Sequence, residues 1–185
     1  MLDYIVVGLG LAGISFCEVL EKEGKSYKVI TDESQQASQV AGGLYNPVIL
    51  KRFTMAWKAK QQLLGAKPFY KGLEEKLEIK LDYELPVLRK FASIEEQNLW
   101  FEAADRPDLD YFLSTKLLSN NNPAIDAPHG FGEVKYTGRI DTGTLVHSYK
   151  SYLQHTDSLL EESLDFDELS VSSEQVAYKS ITAKN

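Results

Sequence analysis

Three glycines near the start of the chain have the spacing of a phosphate-binding loop. Gly8, Gly10 and Gly13 form the pattern G-x-G-x-x-G directly after the short apolar run Tyr4–Val7. The first glycine of such a loop permits a tight turn, the second lets a pyrophosphate approach the backbone, and the third lets the next helix pack closely. The N-terminus of that helix offers free N–H groups to the phosphates. The spacing therefore predicts a dinucleotide site.

The neighbouring residues predict the rest of a βαβ unit. Tyr4–Val7 is typical of a strand buried on both faces, and helical periodicity runs over residues 11–23 with Gly24 as a stop. A second strand is predicted at Tyr27–Thr31, and Asp32 follows at the distance of an acid that binds ribose hydroxyls. An acid there disfavours a 2′-phosphate, so the motif predicts NAD or FAD rather than NADP and leaves both open.

The composition is that of a globular protein with one ordinary core or two small ones. The 185 residues are 43% hydrophobic, and the formal net charge of −7 gives no reason to expect nucleic acid or an anionic membrane as a partner. Ten of the twenty Lys and Arg residues fall between positions 51 and 90, against five acids. We interpret this stretch as a solvated helix face.

Cysteine content and hydropathy argue against a disulfide-rich, metal-binding or membrane-spanning protein. Cys17 is the only cysteine, so no internal disulfide and no Cys-rich metal site is expected, and we predict no metal. No apolar stretch is long enough to span a bilayer, and a cytoplasmic location is the default expectation.

A second loop of small residues follows the second strand. Residues 38–47 read Ser-Gln-Val-Ala-Gly-Gly-Leu-Tyr-Asn-Pro. The two adjacent glycines, Gly42 and Gly43, suit a backbone pressed against a ligand, and Ser38 can donate a hydrogen bond to a phosphate.

Together the two loops resemble the FAD-dependent oxidoreductases of the D-amino acid oxidase and glycine oxidase family. That family carries an S-x-x-A-G-G loop along the FAD pyrophosphate, reaching toward the flavin. It usually has Glu at the ribose position, which strict spacing from Gly13 places at Thr31, and we expect Asp32 to take that role. By the family's spacing, the resemblance implies that the backbone of Phe166 touches adenine. The resemblance implies FAD contacts for Gly8, Gly10, Leu11, Ala12, Gly13, Asp32, Ser38, Gly42, Gly43 and Phe166.

The resemblance covers the whole chain and implies about the first half of such a protein. The fold class it implies is α/β: a Rossmann-like, glutathione-reductase-type FAD-binding βαβ domain with an inserted α+β substrate domain, ending before the fold is complete. The implied domains are the first part of the FAD-binding domain at residues 1–80, the substrate-domain segment at 81–139, and the return to the FAD-binding domain at 140–185.

The function implied is oxidation of a C–N bond of a small amine or amino acid by hydride transfer to flavin N5. The carboxylate-binding residues of the family lie mostly outside this chain, so we expect this portion alone to be inactive. Asn46 and Arg52 are the only candidates for a catalytic role. Trp57, near the start of a predicted helix, is expected to be a buried anchor.

Three alternatives remain open at this point. The first is the oxidase domain of an enzyme that modifies the wobble uridine of tRNA, in which the basic stretch 51–90 would contact tRNA. The second is an NAD-dependent dehydrogenase, which requires a second βαβ half. The third is a non-catalytic dinucleotide-binding module.

Periodicity and capping signals predict the remaining elements. In chain order these are a helix at 54–80 capped by Thr54, a strand at 83–91, helices at 93–103 and 107–118, a strand at 131–140, a helix from 142 to about 154, a third sheet strand at 158–162 and a hairpin at 171–183.

Overall fold

The computed structural model describes residues 1–32, 34 and 37–185. These residues divide into two units: residues 1–41 with 142–185, and residues 42–141. The helices of the described residues are α1 (Leu11–Lys22), α2 (Ala37–Val40), α3 (Ala59–Leu77), α4 (Ile94–Ala104) and α5 (Thr142–His155), with a turn of 3₁₀ helix at Phe166–Glu168. Their strands are β1 (Tyr4–Val7), β2 (Tyr27–Thr31), β3 (Leu44–Tyr45), β4 (Val48–Ile49), β5 (Thr54–Met55), β6 (Asp82–Glu84), β7 (Val87–Lys90), β8 (Phe131–Val134), β9 (Gly138–Ile140), β10 (Leu159–Glu161), β11 (Leu169–Val171), β12 (Val176–Tyr178) and β13 (Ile181–Ala183).

The first unit is built on a parallel sheet with strand order β1-β2-β10. β2 pairs in parallel with both neighbours: Tyr4 of β1 lies opposite Tyr27, and Leu159 of β10 lies opposite Val29. This arrangement confirms the predicted βαβ unit, the predicted third strand and the α/β fold class. The predicted hairpin at 171–183 is instead the three-stranded antiparallel sheet β11-β12-β13.

A network of tyrosine and glutamate side chains joins α1 to α5. The buried Tyr149 hydroxyl donates to Glu18 at 2.8 Å, while Tyr27 and Tyr152 both donate to Glu21. Burial, followed by the Glu18 carboxylate, raises the pKa of Tyr149 far above its ordinary value. The hydroxyl therefore stays protonated, as a donor to the carboxylate must.

The chain leaves and re-enters the first unit at adjacent points. Ala41 is the last residue before the second unit and Thr142 the first residue after it, and the Thr142 hydroxyl donates to the Ala41 carbonyl at 3.2 Å. The second unit is therefore an insertion. The predicted domain functions, with boundaries at residues 80 and 139, remain predictions.

The second unit contains antiparallel sheets and the helices α3 and α4. Its sheets are β3-β9-β6, the hairpin β4-β5 and the pair β7-β8. The hydroxyl of Ser93 accepts a hydrogen bond from the Glu96 amide at 3.2 Å, which confirms the predicted cap of α4. The buried core includes Phe53, Phe91 and Trp100.

The start of α3 differs from the prediction. Thr54 lies in β5 rather than at a helix cap, and α3 begins at Ala59, after Lys58 adopts a left-handed backbone with φ of 50°. The pairing of β4 with β5 takes Thr54 out of helical conformation. Trp57 is 75% exposed, so the expectation of a buried anchor was wrong.

One further helix prediction was wrong and two strand predictions were confirmed only in part, because long-range pairing overrides local signals. Residues 107–118 form turns rather than a helix, since the Ser114 amide donates to the Glu133 carbonyl of β8 at 2.9 Å. The single strands predicted at 83–91 and 131–140 are each broken in two. Thr137 lies at the break: its hydroxyl accepts from the Val87 amide at 2.9 Å and donates to the Leu85 carbonyl at 2.6 Å.

The network between α1 and α5 gives a testable stability prediction. We expect Tyr149→Phe to lower the free energy of unfolding by about 1–2 kcal/mol, because the partly buried Glu18 carboxylate loses the hydrogen bond from the Tyr149 hydroxyl. Urea unfolding followed by circular dichroism measures the change. The control is Tyr4→Phe, whose ring contacts Phe16 with centroids 5.6 Å apart and keeps that contact. Equal stability of the two variants would show that the Tyr149 hydroxyl has no stabilising role.

Candidate functional site

The glycine loop connects the end of β1 to the start of α1. Gly8 has φ of +93°, a conformation that L side chains rarely adopt, and its amide donates to the Ile30 carbonyl of β2 at 2.9 Å. A Cβ atom on Gly13 would lie 2.2 Å from the Gly8 carbonyl oxygen. Both positions therefore require glycine so that α1 can begin directly against the strand.

The second loop reaches the start of α1. Gly10 is the N-cap residue of α1 and offers no side-chain cap, and the Leu11 amide donates to the Ser38 hydroxyl at 3.3 Å. A Cβ on Gly10 would lie 3.1 Å from the same oxygen. The structure thus brings Ser38 next to Gly10 and Leu11, although Ser38 lies 27 positions from Leu11 in sequence. A polar cradle of backbone amides and one hydroxyl results, and such a cradle suits an anion.

Asp32 follows β2 and is held by serines. Its carboxylate accepts from both the amide of Ser34, at 3.1 Å, and the hydroxyl of Ser34, at 2.5 Å. The Ser34 hydroxyl, followed by the Ser163 hydroxyl, holds the pKa of Asp32 below its ordinary value. Asp32 is therefore an ionised acceptor near neutral pH.

A cavity of about 710 Å³ lies over these residues. Five of the residues predicted as cofactor contacts line it, namely Gly8, Gly10, Asp32, Ser38 and Phe166. Three others, Leu11, Ala12 and Gly13, form the first turn of α1. Phe166 is 76% exposed at the 3₁₀ turn.

The opposite wall of the cavity was not predicted from the sequence. It consists of one face of α5, including His147, Lys150 and Gln154, together with Glu162 and Ser163 after β10. Lys150 pairs with Glu161 at 2.7 Å. In the sequence, this wall is visible only as a polar stripe at helical spacing, and such a stripe is typical of any solvated helix face.

The remaining predicted residues lie in the second unit. Gly43 has φ of +66°, its carbonyl accepts from the Ile140 amide at 3.0 Å, and a Cβ there would lie 1.9 Å from the Ile140 carbonyl oxygen. The close approach of β9 thus explains Gly43, whereas a Cβ on Gly42 would meet open space. Asn46 accepts from the Val48 amide at 2.9 Å, and Arg52 lines a separate cavity.

The described residues contain neither a cluster suited to a metal ion nor a helix suited to a membrane. Over residues 1–32, 34 and 37–185, no group of three or more His, Cys, Asp or Glu side chains is arranged to hold a metal ion. Within the same residues, no helix combines the length and the apolar character that crossing a membrane demands.

Solved structures with this fold include enzymes that act on amino acids. Glycine oxidase from Bacillus cereus matches with a TM-score of 0.70 and 15% identity, over 100% of this chain and 54% of that one. L-proline dehydrogenase from P. horikoshii matches with a TM-score of 0.68 and 14% identity, over 98% and 50%. L-amino acid deaminase from Proteus myxofaciens matches with a TM-score of 0.67 and 13% identity, over 99% and 43%.

These matches confirm the predicted fold along the whole chain: it is the fold of the glycine oxidase, the L-proline dehydrogenase and the L-amino acid deaminase. The chain spans about half the length of the structures that it matches. No protein-family model matches the sequence.

The contact between Gly13 and Gly8 gives a stability prediction. We expect Gly13→Ala to lower the free energy of unfolding by about 2–3 kcal/mol, because its Cβ collides with a backbone carbonyl that cannot move away. The matched control is Gly65→Ala in α3, where a Cβ meets open space, and it should raise the free energy of unfolding by about 0.5–1 kcal/mol. Urea unfolding measures both. A neutral Gly13→Ala would contradict the close approach.

The serines around Asp32 give a pH prediction. Ser34→Ala should raise the pKa of Asp32 toward 3.8, with a smaller rise in Ser163→Ala, measured by ¹³C NMR of the carboxyl carbon. A folded-state pKa below the unfolded one means that ionised Asp32 stabilises the fold above about pH 4 and loses this effect as the pH falls. Ser38→Ala is the control, and a pKa that moves equally in all three variants would contradict the assignment.

Proposed function

We propose that this chain is the FAD-binding part, with part of the substrate domain, of an oxidoreductase that oxidises the C–N bond of a small amine or amino acid. One observation carries the proposal: Ser38 of the second loop meets the N-terminus of α1 directly after the glycine loop. Bound FAD would supply a hydride acceptor at flavin N5, and the oxidised substrate would then hydrolyse in water.

The glycine loop is proposed to hold the pyrophosphate. The backbone at Gly8 and Gly10 lines the cavity with no side chain in the way, and the Leu11 amide lies at the N-terminus of α1. The partial positive charge of this helix end favours a doubly charged group. Ser38 can turn its hydroxyl from the Leu11 amide to a phosphate oxygen.

Asp32 and Phe166 are proposed to hold the adenosine. The ionised Asp32 accepts hydrogen bonds from the ribose hydroxyls, and its charge repels a 2′-phosphate. Ser34 orients the carboxylate. Phe166 lines the same cavity, which supports its predicted contact with adenine. Gly42 and Gly43 are proposed to approach the flavin.

The topology after β2 favours FAD over NAD. An NAD-dependent dehydrogenase would continue with a second βαβ half, but this chain enters the antiparallel sheets β3-β9-β6, β4-β5 and β7-β8 before it returns to the parallel sheet at β10. The matched structures, whose names describe action on amino acids, share the fold over 98% or more of this chain, which includes these antiparallel sheets.

The charges of the stretch 51–90 favour a small substrate over tRNA. At least four of its cations pair with carboxylates at 3.9 Å or less, namely Lys67, Lys71, Lys80 and Arg89. Paired cations add little to the counterion release that drives nucleic-acid binding. Together with the net charge of −7, this argues for an amine or amino acid.

The test is the visible spectrum of a protein that carries this sequence at its full natural length. We expect it to be yellow as purified and to bleach on anaerobic addition of an amine or amino acid. Asp32→Asn should weaken FAD binding about tenfold, since the ribose loses a charged acceptor. The control is Asp126→Asn, an exposed loop residue with the same change of charge. A colourless protein that does not bind added FAD would refute the proposal, and tight NAD binding would favour the dehydrogenase.

A further inference from the structure

We propose that a second cavity, in the unit of residues 42–141, binds a phosphate-type dianion, as free phosphate or as the phosphate of a small ester. The cavity has a volume of about 440 Å³. It lies between the loop that joins β4 to β5 and the helix α4. Three cationic side chains line it, those of Lys51, Arg52 and Arg106. The proposal rests on residues of the second unit alone and does not require bound FAD.

The loop that carries Lys51 and Arg52 is anchored by the side chain beside them. Phe53 is 8% exposed, and its ring packs edge-on against Trp100 with centroids 5.5 Å apart. Its backbone is left-handed, with φ of 46°, which a bulky residue adopts only where the surroundings impose it. The two cations are thus presented from a fixed turn.

Arg106 connects this loop to the end of α4. It lies just after the helix, where its amide donates to the Ala103 carbonyl at 3.2 Å, and its guanidinium donates to the Phe53 carbonyl. The guanidinium carries five N–H donors, so this contact leaves others for a ligand in the cavity. The contact between Arg106 and Phe53 therefore holds Lys51, Arg52 and Arg106 around the same cavity.

The charge balance of the cavity is positive although the chain is acidic. Two carboxylates, Glu96 and Glu102, also line the cavity. Glu96 is already compensated, since it accepts from the Arg89 guanidinium at 2.5 Å and from the Ala92 amide at 2.6 Å. Three cations then face one other carboxylate, so an anion is favoured there.

The side-chain chemistry specifies the kind of anion. A guanidinium matches a phosphate with two parallel N–H donors, and a lysine adds a compact point charge. Leu99, which is 51% exposed, and Ala103 add apolar surface beside the cations. This surface suits the carbon skeleton of a phosphate ester, and the volume falls within the range of small-molecule sites.

The experiment is a titration of the ¹⁵N-labelled 185-residue chain with inorganic phosphate at a fixed ionic strength of about 0.15 M. We expect saturable amide shifts at Lys51, Arg52, Phe53 and Arg106. Arg52→Gln should raise the Kd about tenfold through loss of a charged bidentate contact. Glu102→Gln should lower the Kd about threefold, because it removes a repelling carboxylate.

The matched control is Lys90→Gln on β7, which makes the same change of charge outside the cavity and should leave the Kd unchanged. Absence of saturable shifts at the four amides would overturn the site. Equal weakening by Lys90→Gln and Arg52→Gln would also overturn it, since it would indicate attraction by the general field. A parallel titration with glycerol phosphate identifies the source of the ligand: tighter binding than phosphate indicates an ester, and equal binding indicates the free ion.

Discussion

The first unit depends on the close approach of two backbones, where the start of α1 meets the end of β1. The Gly8 carbonyl and the Cα of Gly13 are so near that even a methyl group has no room between them. This approach fixes the direction of α1, and the direction of α1 fixes where the amides of its first turn point. The positions of β1, α1 and the cradle therefore depend on one another, because a shift of α1 away from β1 would also move the amides of the cradle.

The start of α1 also depends on the loop that carries Ser38, which is distant in sequence. A helix that begins with glycine has no side-chain cap of its own, and here Ser38 supplies the missing acceptor to the Leu11 amide. A cap delivered from another loop is well suited to exchange for a ligand oxygen, because both satisfy the same donor. The structural cap and the proposed cofactor site therefore share the same few atoms.

The structure shows which parts of the fold the sequence can predict. The βαβ unit was correctly predicted because strand, turn and helix signals there are local and agree with one another. Residues 107–118 were not, because pairing with β8 depends on residues about 20 positions away and competes successfully with the helix signal of Pro107. At the site, glycines and Asp32 have recognisable spacing, whereas the α5 wall has only a polar face, which many helices share. Gly43 carried a clear signal, but its close contact with β9 requires glycine whether or not a ligand is present.

The parallel alignment of residues 2–5 with residues 182–185 has a consequence for how the chain folds. The Leu2 amide donates to the Thr182 carbonyl and the Ile5 amide to the Asn185 carbonyl, both at 2.8 Å, across nearly the whole sequence. Closing a loop of that length costs roughly 5 kcal/mol in chain entropy before any contact compensates it. This pairing is therefore expected to form late. During synthesis, the edge of β1 that pairs with residues 182–185 therefore stays exposed to water until those residues have left the ribosome.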